Sequence, residues 1–251
     1  MKTIGIIPAR YGSTRFPGKP LADIQGRPMI WHVYQRCHKA KSLDQLLVAT
    51  DDRRIYDCVT AFGGQAVMTS NRHRSGTDRI AEALTKIETR SSKFGTIINI
   101  QGDEPLIDPK AIDLLARAMA GSSKPEMATL VGSFNDKEDL LSPNTAKVVA
   151  DGRGYALYFS RSVIPGCREG SLSLTNYLKH IGIYAYRREV LFKLISWPQS
   201  ALEQAEKLEQ LRALEHGVKI KLIKTGYRPQ AVDSPDDLAR INKTLRRQSF
   251  A

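Results

Sequence analysis

Thr3-Ile4-Gly5-Ile6-Ile7-Pro8-Ala9-Arg10-Tyr11-Gly12-Ser13-Thr14-Arg15-Phe16-Pro17-Gly18-Lys19-Pro20 is the stretch on which the reading of this chain turns. Thr3–Ile7 is a short apolar run with the look of a buried strand. It passes straight into a loop with two glycines, three prolines, two arginines and a lysine. Gly and Pro hold such a loop in an open curve that exposes its N–H groups. Arg10, Arg15 and Lys19 add fixed positive charge. A cationic loop of this kind after the first strand of an α/β domain suits a triphosphate, by the physics of helix N-termini and backbone nests.

Working outward, strand and helix patterns alternate. Thr3–Ile7, Gln45–Ala49, Ala66–Met68 and Thr96–Ile100 read as strands. Met29–Ala40, Arg53–Phe62, Thr77–Ile87 and Pro109–Ala120 read as helices, the first behind Pro28 and the second behind the cap signal Thr50-Asp51-Asp52. This spacing predicts βαβ units and a parallel sheet, with ligands at the carboxyl ends of the strands. The later chain changes character. Met127–Ser133, Ala146–Ala150, Ala156–Phe159 and His180–Tyr186 are β-rich, with a flexible stretch at Gly166–Asn176. They suggest antiparallel structure added to the parallel sheet. A helix over Leu202–His216, a strand at Lys219–Ile223 and a helix capped by Ser234-Pro235-Asp236-Asp237 and running to about Arg247 complete the reading. The expectation is one domain over 1–251 with a β-rich insertion at about 127–190.

The 251 residues are 41% hydrophobic and 25% charged, ordinary for a globular protein able to bury a core without disulfides. Three scattered cysteines, Cys37, Cys58 and Cys167, form no Cys-x-x-Cys pair and point to a reducing compartment. No apolar run reaches the roughly 18 residues of a membrane span. Met1-Lys2 lead directly into an apolar strand, so no secretory leader is expected and the cytoplasm is the expected location. The net charge of +12 is spread along the chain, except for the Lys243–Arg247 stretch, and so reads first as a solvated basic surface, with attraction for polyanions as the alternative.

Asp103, in Gln101-Gly102-Asp103-Glu104-Pro105 at a strand end, is the first metal candidate, and Asp233 the second. Mg²⁺ prefers one or two carboxylates plus phosphate oxygens. The alternative for Asp233 is a turn or cap residue before Ser234-Pro235. Ser75-Gly76-Thr77-Asp78-Arg79 opens a helix, either as a plain N-cap or as a base or ribose contact. Arg161, Arg168, His180, Tyr184, Glu209 and Gln210 offer a carboxylate clamp with donors and acceptors for hydroxyls. His180 could also be a strand residue with a satisfied ring. The Walker A spacing and the dinucleotide glycine fingerprint are both missing, which disfavours a P-loop ATPase and a nicotinamide enzyme.

Taken together, these motifs resemble the 3-deoxy-manno-octulosonate cytidylyltransferase (CMP-Kdo synthetase) family. The resemblance rests on Ile7-Pro8-Ala9-Arg10 through Lys19-Pro20-Leu21, Val48-Ala49-Thr50-Asp51-Asp52, Ser75–Arg79, Gln101–Pro105, Tyr158-Phe159-Ser160-Arg161, His180-Ile181-Gly182-Ile183-Tyr184 and Leu208-Glu209-Gln210-Leu211-Arg212, in that order. It implies a nucleotide-diphospho-sugar transferase-like fold: a mostly parallel central sheet flanked by helices, with the antiparallel insertion used for dimerisation. It implies the reaction of CTP with Kdo to give CMP-Kdo and pyrophosphate, with Mg²⁺, for lipopolysaccharide biosynthesis. No nucleic-acid or membrane partner is expected.

By the same resemblance, Lys19, Arg15, Asp103 and Asp233 form the catalytic set, with Asp103 and Asp233 on the metal. Arg10, Ser13, Arg15, Lys19, Ser75, Gly76 and Gln101 bind the nucleotide. Arg79, Gln101, Arg161, Arg168, His180, Tyr184, Glu209 and Gln210 bind the sugar acid. One stretch departs from the family pattern. Many members read Ile-Pro-Trp-Asp-Arg, where this chain has Ile164-Pro165-Gly166-Cys167-Arg168. That departure opens a close analogue such as 8-amino-Kdo; sialic acid is a further alternative, and the overall motif spelling favours Kdo. A glycosyltransferase on a related fold would need an Asp-x-Asp metal motif, which Asp51-Asp52 and Asp236-Asp237 do not provide. A non-catalytic nucleotide or nucleic-acid binder is the remaining reading from another class.

Overall fold

The path of the chain begins with β1 (Thr3–Ala9) and a small hairpin of β2 (Asp23–Ile24) and β3 (Arg27–Pro28). It then alternates through α1 (Met29–Cys37), β4 (Gln45–Thr50), α2 (Arg53–Ala61), β5 (Ala66–Met68), α3 (Gly76–Ile87), β6 (Thr96–Asn99) and α4 (Pro109–Ala120). Next come β7 (Met127–Gly132), α5 (Lys137–Leu141), β8 (Lys147–Ala150), β9 (Ala156–Ser160) and β10 (Leu178–Arg187). The path closes with α6 (Arg188–Ser196), α7 (Ala201–Glu206), α8 (Gln210–Glu215), β11 (Ile220–Lys224) and α9 (Pro235–Ser249). The computed structural model describes residues 1–12, 16–89, 93–121, 124–168 and 172–249, without the side chains of 247–249. Two compact units are present, one of Met1–Asp113 with Pro229–Ala251 and one of Leu114–Arg228. The β-rich stretch at about 127–190 lies wholly within the second.

In the first unit β1 is nearly all buried, because a parallel strand covered on both faces needs a continuous apolar run rather than alternation. It pairs in parallel with β4 on one edge, Ile4 opposite Gln45, and with β6 on the other, Thr3 opposite Thr96. β5 extends the sheet beyond β4, also in parallel. The helices have local reasons to start where they do. Asp52 caps α2 by accepting from the Arg54 amide at 2.9 Å. Ser75 caps α3 in a reciprocal box with Asp78.

The last segment of the chain returns to this unit. Val232 and Ile241 are buried with Ile24 and Met29, and Leu238 and Leu245 pack on them. The Val232 amide donates to the Asp103 carbonyl at 2.9 Å. That bond and the apolar cluster bring sequence-distant Asp233 to the end of β6.

In the second unit β7 pairs in parallel with β11 and antiparallel with β10, while β8 pairs antiparallel with both β10 and β9. The buried Lys147 ammonium donates to the Ser142, Thr145 and Arg161 carbonyls at 2.7–2.8 Å, which accounts for a lysine in a core position. The second unit therefore holds the antiparallel pairing expected of the β-rich stretch.

The helix expected over 202–216 is two helices, α7 and α8. Lys207 ends α7 in the left-handed region at φ 53°. The break follows from what Glu206 does: its carboxylate accepts from Ser160 Oγ at 2.6 Å and the Arg161 amide at 2.9 Å, and its carbonyl accepts from Arg161 Nε at 2.7 Å. The apolar periodicity carries no sign of that polar tie. No helix among the described residues is long and apolar enough to cross a membrane.

Gly102 is required by close approach, since a Cβ there would lie 2.8 Å from the Pro8 carbonyl oxygen. Gly102→Ala is expected to cost about 1–3 kcal/mol of stability, the usual range for forced overpacking. Urea unfolding checks it, and an unchanged midpoint would contradict the approach of Gly102 to β1. A second expectation concerns Glu82 on α3. Burial pushes its carboxyl up, but hydrogen bonds from Lys86, the Ser70 amide and His73 outweigh burial and bring it down to about 2. A carboxyl lowered in the folded state stabilises it above the ordinary value and loses that contribution as pH falls. The stability gap between wild type and Glu82→Gln should therefore be largest above pH 4.5 and shrink from there toward pH 2, as read from thermal unfolding across pH.

Candidate active site

The parallel registry of β1, β4 and β6 brings their carboxyl ends to one edge, where the loops after β1 and β6 help to form a cleft. At about 350 Å³ it is at the small end of the range for small-molecule sites. Pro8, Ala9 and Arg10 come from the end of β1, and Gln101, Gly102 and Asp103 follow β6. Ser75 and Gly76 bring the N-terminus of α3, and Asp233 precedes α9. A Cβ on Gly76 would meet Pro8 Cγ at 3.2 Å, so both glycines let backbone crowd around Pro8.

Its electrostatic centre is Lys19. The ammonium donates to Asp103 Oδ2 at 2.7 Å and to Asp233 Oδ1 at 3.2 Å. The Lys19 side chain is 15% exposed, that of Asp103 29% and that of Asp233 44%. The two carboxylates are therefore partly wetted and accessible from the cleft. Two carboxylates drawn onto one cation are the donor set that Mg²⁺ takes together with substrate phosphates. Among the described residues no group of three or more His, Cys, Asp or Glu side chains could hold a metal by itself. The pair thus fits a metal that arrives with its phosphates, and does not fit a self-sufficient protein cage.

Further cations surround this centre. Arg10, at the cleft, is exposed and has no ion-pair partner among the described residues. Arg79 is 3% exposed, and its guanidinium donates to Asp51 at 2.7 Å and to Thr69 at 2.6 Å, which fixes it as a wall of the cleft. His73 and Arg74 also line the cleft, and sequence reading did not single them out. The basic run Arg72-His73-Arg74 just ahead of the Ser75 cap was the available signal. His73 is held by Glu82. The Ser75 hydroxyl is engaged in its cap, accepting from the Asp78 amide at 3.1 Å and donating to Asp78 Oδ2 at 2.9 Å. What that position offers a ligand is the N-terminal end of a 12-residue helix. Ser13 and Arg15 lie outside the described residues.

A second group forms within the second unit. The rings of His180 and Tyr184 are 5.4 Å apart, and the Tyr184 hydroxyl donates to Gln210 Oε1 at 3.0 Å. Gln210 is 3% exposed, and its buried Nε2 has no hydrogen-bond partner among the described residues. Such an amide invites a ligand acceptor. His180 and Tyr184 keep part of their surface accessible, yet protein crowds them on most sides. Burial pushes the His180 imidazole down to about 3, so its ring is neutral near pH 7. Burial, with Tyr186 and Glu209 nearby, pushes the Tyr184 phenol well up, so it stays a donor.

Glu209 lies 3.7 Å from Arg212, which is itself clamped by Glu203 at 2.6 Å. The Arg161 guanidinium donates to the carbonyls of Glu206 and Pro143 at 2.7 and 2.9 Å, with Lys207 at 3.4 Å. Arg168 is exposed and makes no ion pair or side-chain hydrogen bond among the described residues. His180, Tyr184 and Gln210 are thus drawn into one network, while Arg161 is committed to backbone.

Comparison with known proteins sets this geometry in context. A sequence model of the cytidylyltransferase family matches residues 4–220. A 3-deoxy-manno-octulosonate cytidylyltransferase of Thermodesulfovibrio yellowstonii is 49% identical over 252 residues, covering 98% of each chain. One of Parabacteroides distasonis is 50% identical over 248 residues, covering 96% of each. A solved structure of CMP:2-keto-3-deoxy-manno-octonic acid synthetase complexed with CTP superposes with a TM-score of 0.91 at 44% identity, covering 99% of this chain and 100% of that one. A 4-diphosphocytidyl-2C-methyl-D-erythritol synthase, 15% identical with a TM-score of 0.65 over 97% of this chain and 98% of its own, shares the fold. Matched over most of its length and near half identical to such relatives end to end, the chain belongs to the cytidylyltransferase family, among the 3-deoxy-manno-octulosonate cytidylyltransferases.

Proposed function

We propose that the protein transfers the cytidylyl group of CTP to 3-deoxy-manno-octulosonate, releasing pyrophosphate. The observation that carries this reading is the convergence of Lys19, Asp103 and Asp233 in a cationic cleft, in a chain of this family. The anomeric hydroxyl oxygen of the acid forms a bond to the α-phosphorus as its proton passes to water, and the bond from that phosphorus to the pyrophosphate oxygen breaks, pyrophosphate leaving with the electron pair. Such a step asks the protein for positioning and charge stabilisation rather than covalent work.

Arg10 and Lys19, with Arg15 and Ser13 by family resemblance, contact the triphosphate. The N-terminal end of α3, at Ser75 and Gly76, takes the ribose and base end, and Gln101 and Arg79 shape the cleft around the acceptor. His180, Tyr184 and Gln210 take hydroxyls of the sugar acid, joined by Glu209, Arg161 and Arg168. Asp103 and Asp233 would hold Mg²⁺, which when bound supplies positive charge to the phosphate oxygens. Lys19 then exchanges part of its carboxylate contact for phosphate. The reading includes a cytoplasmic enzyme that acts as a homodimer through the β-rich insertion and supplies an activated sugar for lipopolysaccharide assembly.

Pyrophosphate release measured with CTP, Mg²⁺ and a panel of Kdo, 8-amino-Kdo and sialic acid, with the product weighed by mass spectrometry, tests the reading. Turnover is expected with Kdo or its amino analogue, which the Gly166-Cys167 spelling brings into the panel. Turnover with none of the three acids, or with sialic acid alone, would overturn it. Asp103→Asn is expected to cost about two to three powers of ten in turnover, the scale of one lost preorganised contact. Stripping divalent ions with a chelator should abolish pyrophosphate release, and added Mg²⁺ should restore it. Chelator-resistant turnover would remove the metal from the scheme.

A further inference from the structure

The spacing of His180 and Tyr184 is not that of an ordinary strand. A β-strand rises about 3.3 Å per residue, so residues four apart sit about 13 Å apart. The two rings are 5.4 Å apart. The registry between β10 and β7 explains the contraction. His180 faces Val131 and Ile181 faces Leu130, but the next pair is Tyr184 with Thr129. β10 advances three residues while β7 advances one, so Gly182 and Ile183 are taken up in a bulge. Bulges bend a strand and re-aim its side chains.

Thr129 sits at this bulge, with none of its surface exposed. Its Oγ1 lies 2.9 Å from the Ile183 carbonyl oxygen, 3.1 Å from that of Ile181 and 3.1 Å from His180 Nε2. A hydroxyl has one proton, and a carbonyl can only accept. If that proton went to the ring, two carbonyl oxygens would face the hydroxyl oxygen with nothing between them. The proton therefore goes to the carbonyls, and a Thr129 lone pair is left to accept. His180 Nε2 must then carry its own proton and donate it to Oγ1. In a neutral ring the other nitrogen, Nδ1, is an acceptor.

We propose that Thr129 is a positioning residue for the sugar-acid site: it holds the bulge and fixes His180 as the Nε2–H tautomer, so that Nδ1 accepts a hydrogen bond from a hydroxyl of the acid. The role for Nδ1 rests on the reading of His180 under Proposed function, whereas the tautomer does not. The residue is invisible to motif reading, because Thr129 lies in an apolar strand with nothing to mark it.

The test is long-range ¹⁵N–¹H correlation NMR on protein labelled in histidine, with His180→Gln identifying the signal. Wild type should show a protonated Nε2 and an unprotonated Nδ1. A wild-type ring protonated at Nδ1 overturns the proposal without need of any Thr129 variant. Thr129→Val should lose the single tautomer, and Thr129→Ser should restore it. In kinetics, Thr129→Val should raise KM for the sugar acid about tenfold, the scale of one hydrogen bond, with KM for CTP unchanged and Thr129→Ser near wild type. A Val variant with an unaltered tautomer overturns the proposal. An altered tautomer with KM for the acid unchanged overturns the role given to Nδ1. If wild type turns over none of the acids, the function reading fails while the tautomer result still decides the role of Thr129 at the ring.

Discussion

β1 is bonded in parallel on both edges, to β4 and to β6, and that constraint governs the first unit. A strand bonded on both edges cannot slip without breaking two hydrogen-bond ladders at once. The register aligns the three strand ends, so the loops after Ala9, Thr50 and Asn99 leave from one edge. Pro8 stands at that edge with Gly76 and Gly102 against it. The absence of a Cβ at both positions lets the N-terminus of α3 and the turn after β6 come close enough to share one cleft.

Charge is gathered on this frame rather than neutralised by it. Lys19 reaches both Asp103 and Asp233, from loops 84 and 214 residues away in sequence. A partly desolvated pair of this kind is a weak source of stability, since the loss of hydration offsets much of the attraction. What it does in the structure is hold both carboxylates at the cleft around one cation. The last helix is therefore more than a terminal addition. Val232 and Ile241 bury apolar surface with Ile24 and Met29, and the Val232 amide bonds to the Asp103 carbonyl, so packing energy holds the second carboxylate at the site.

The second unit uses backbone irregularity where the first uses regularity. The bulge in β10 brings His180 to Tyr184, and the left-handed Lys207 divides α7 from α8 and sets Gln210 at the first position of a new helix. Gly182 inside an apolar strand is a residue-type sign of the bulge, whereas the left-handed Lys207 has none. Apolar spacing through Leu202, Ala205, Leu208, Leu211 and Leu214 fits one continuous helix. The break follows from Glu206 turning to Ser160 and Arg161, more than forty residues upstream.

Local chemistry was therefore legible in the residues alone. The apolar run into a Gly, Pro and cation loop, the alternation of strand and helix, the caps at Asp52 and Ser75, and Asp103 behind a buried strand are all short-range patterns. They arise because hydrogen bonding and burial of neighbouring residues produce them. Long-range decisions belonged to the tertiary structure: Asp233 coming to Asp103, His73 and Arg74 joining the cleft wall, Arg161 being tied to backbone carbonyls, and Thr129 setting the proton on His180. Each depends on which distant groups pack together, and packing partners are selected by shape and buried polar pairing across the whole fold, which no window of sequence contains.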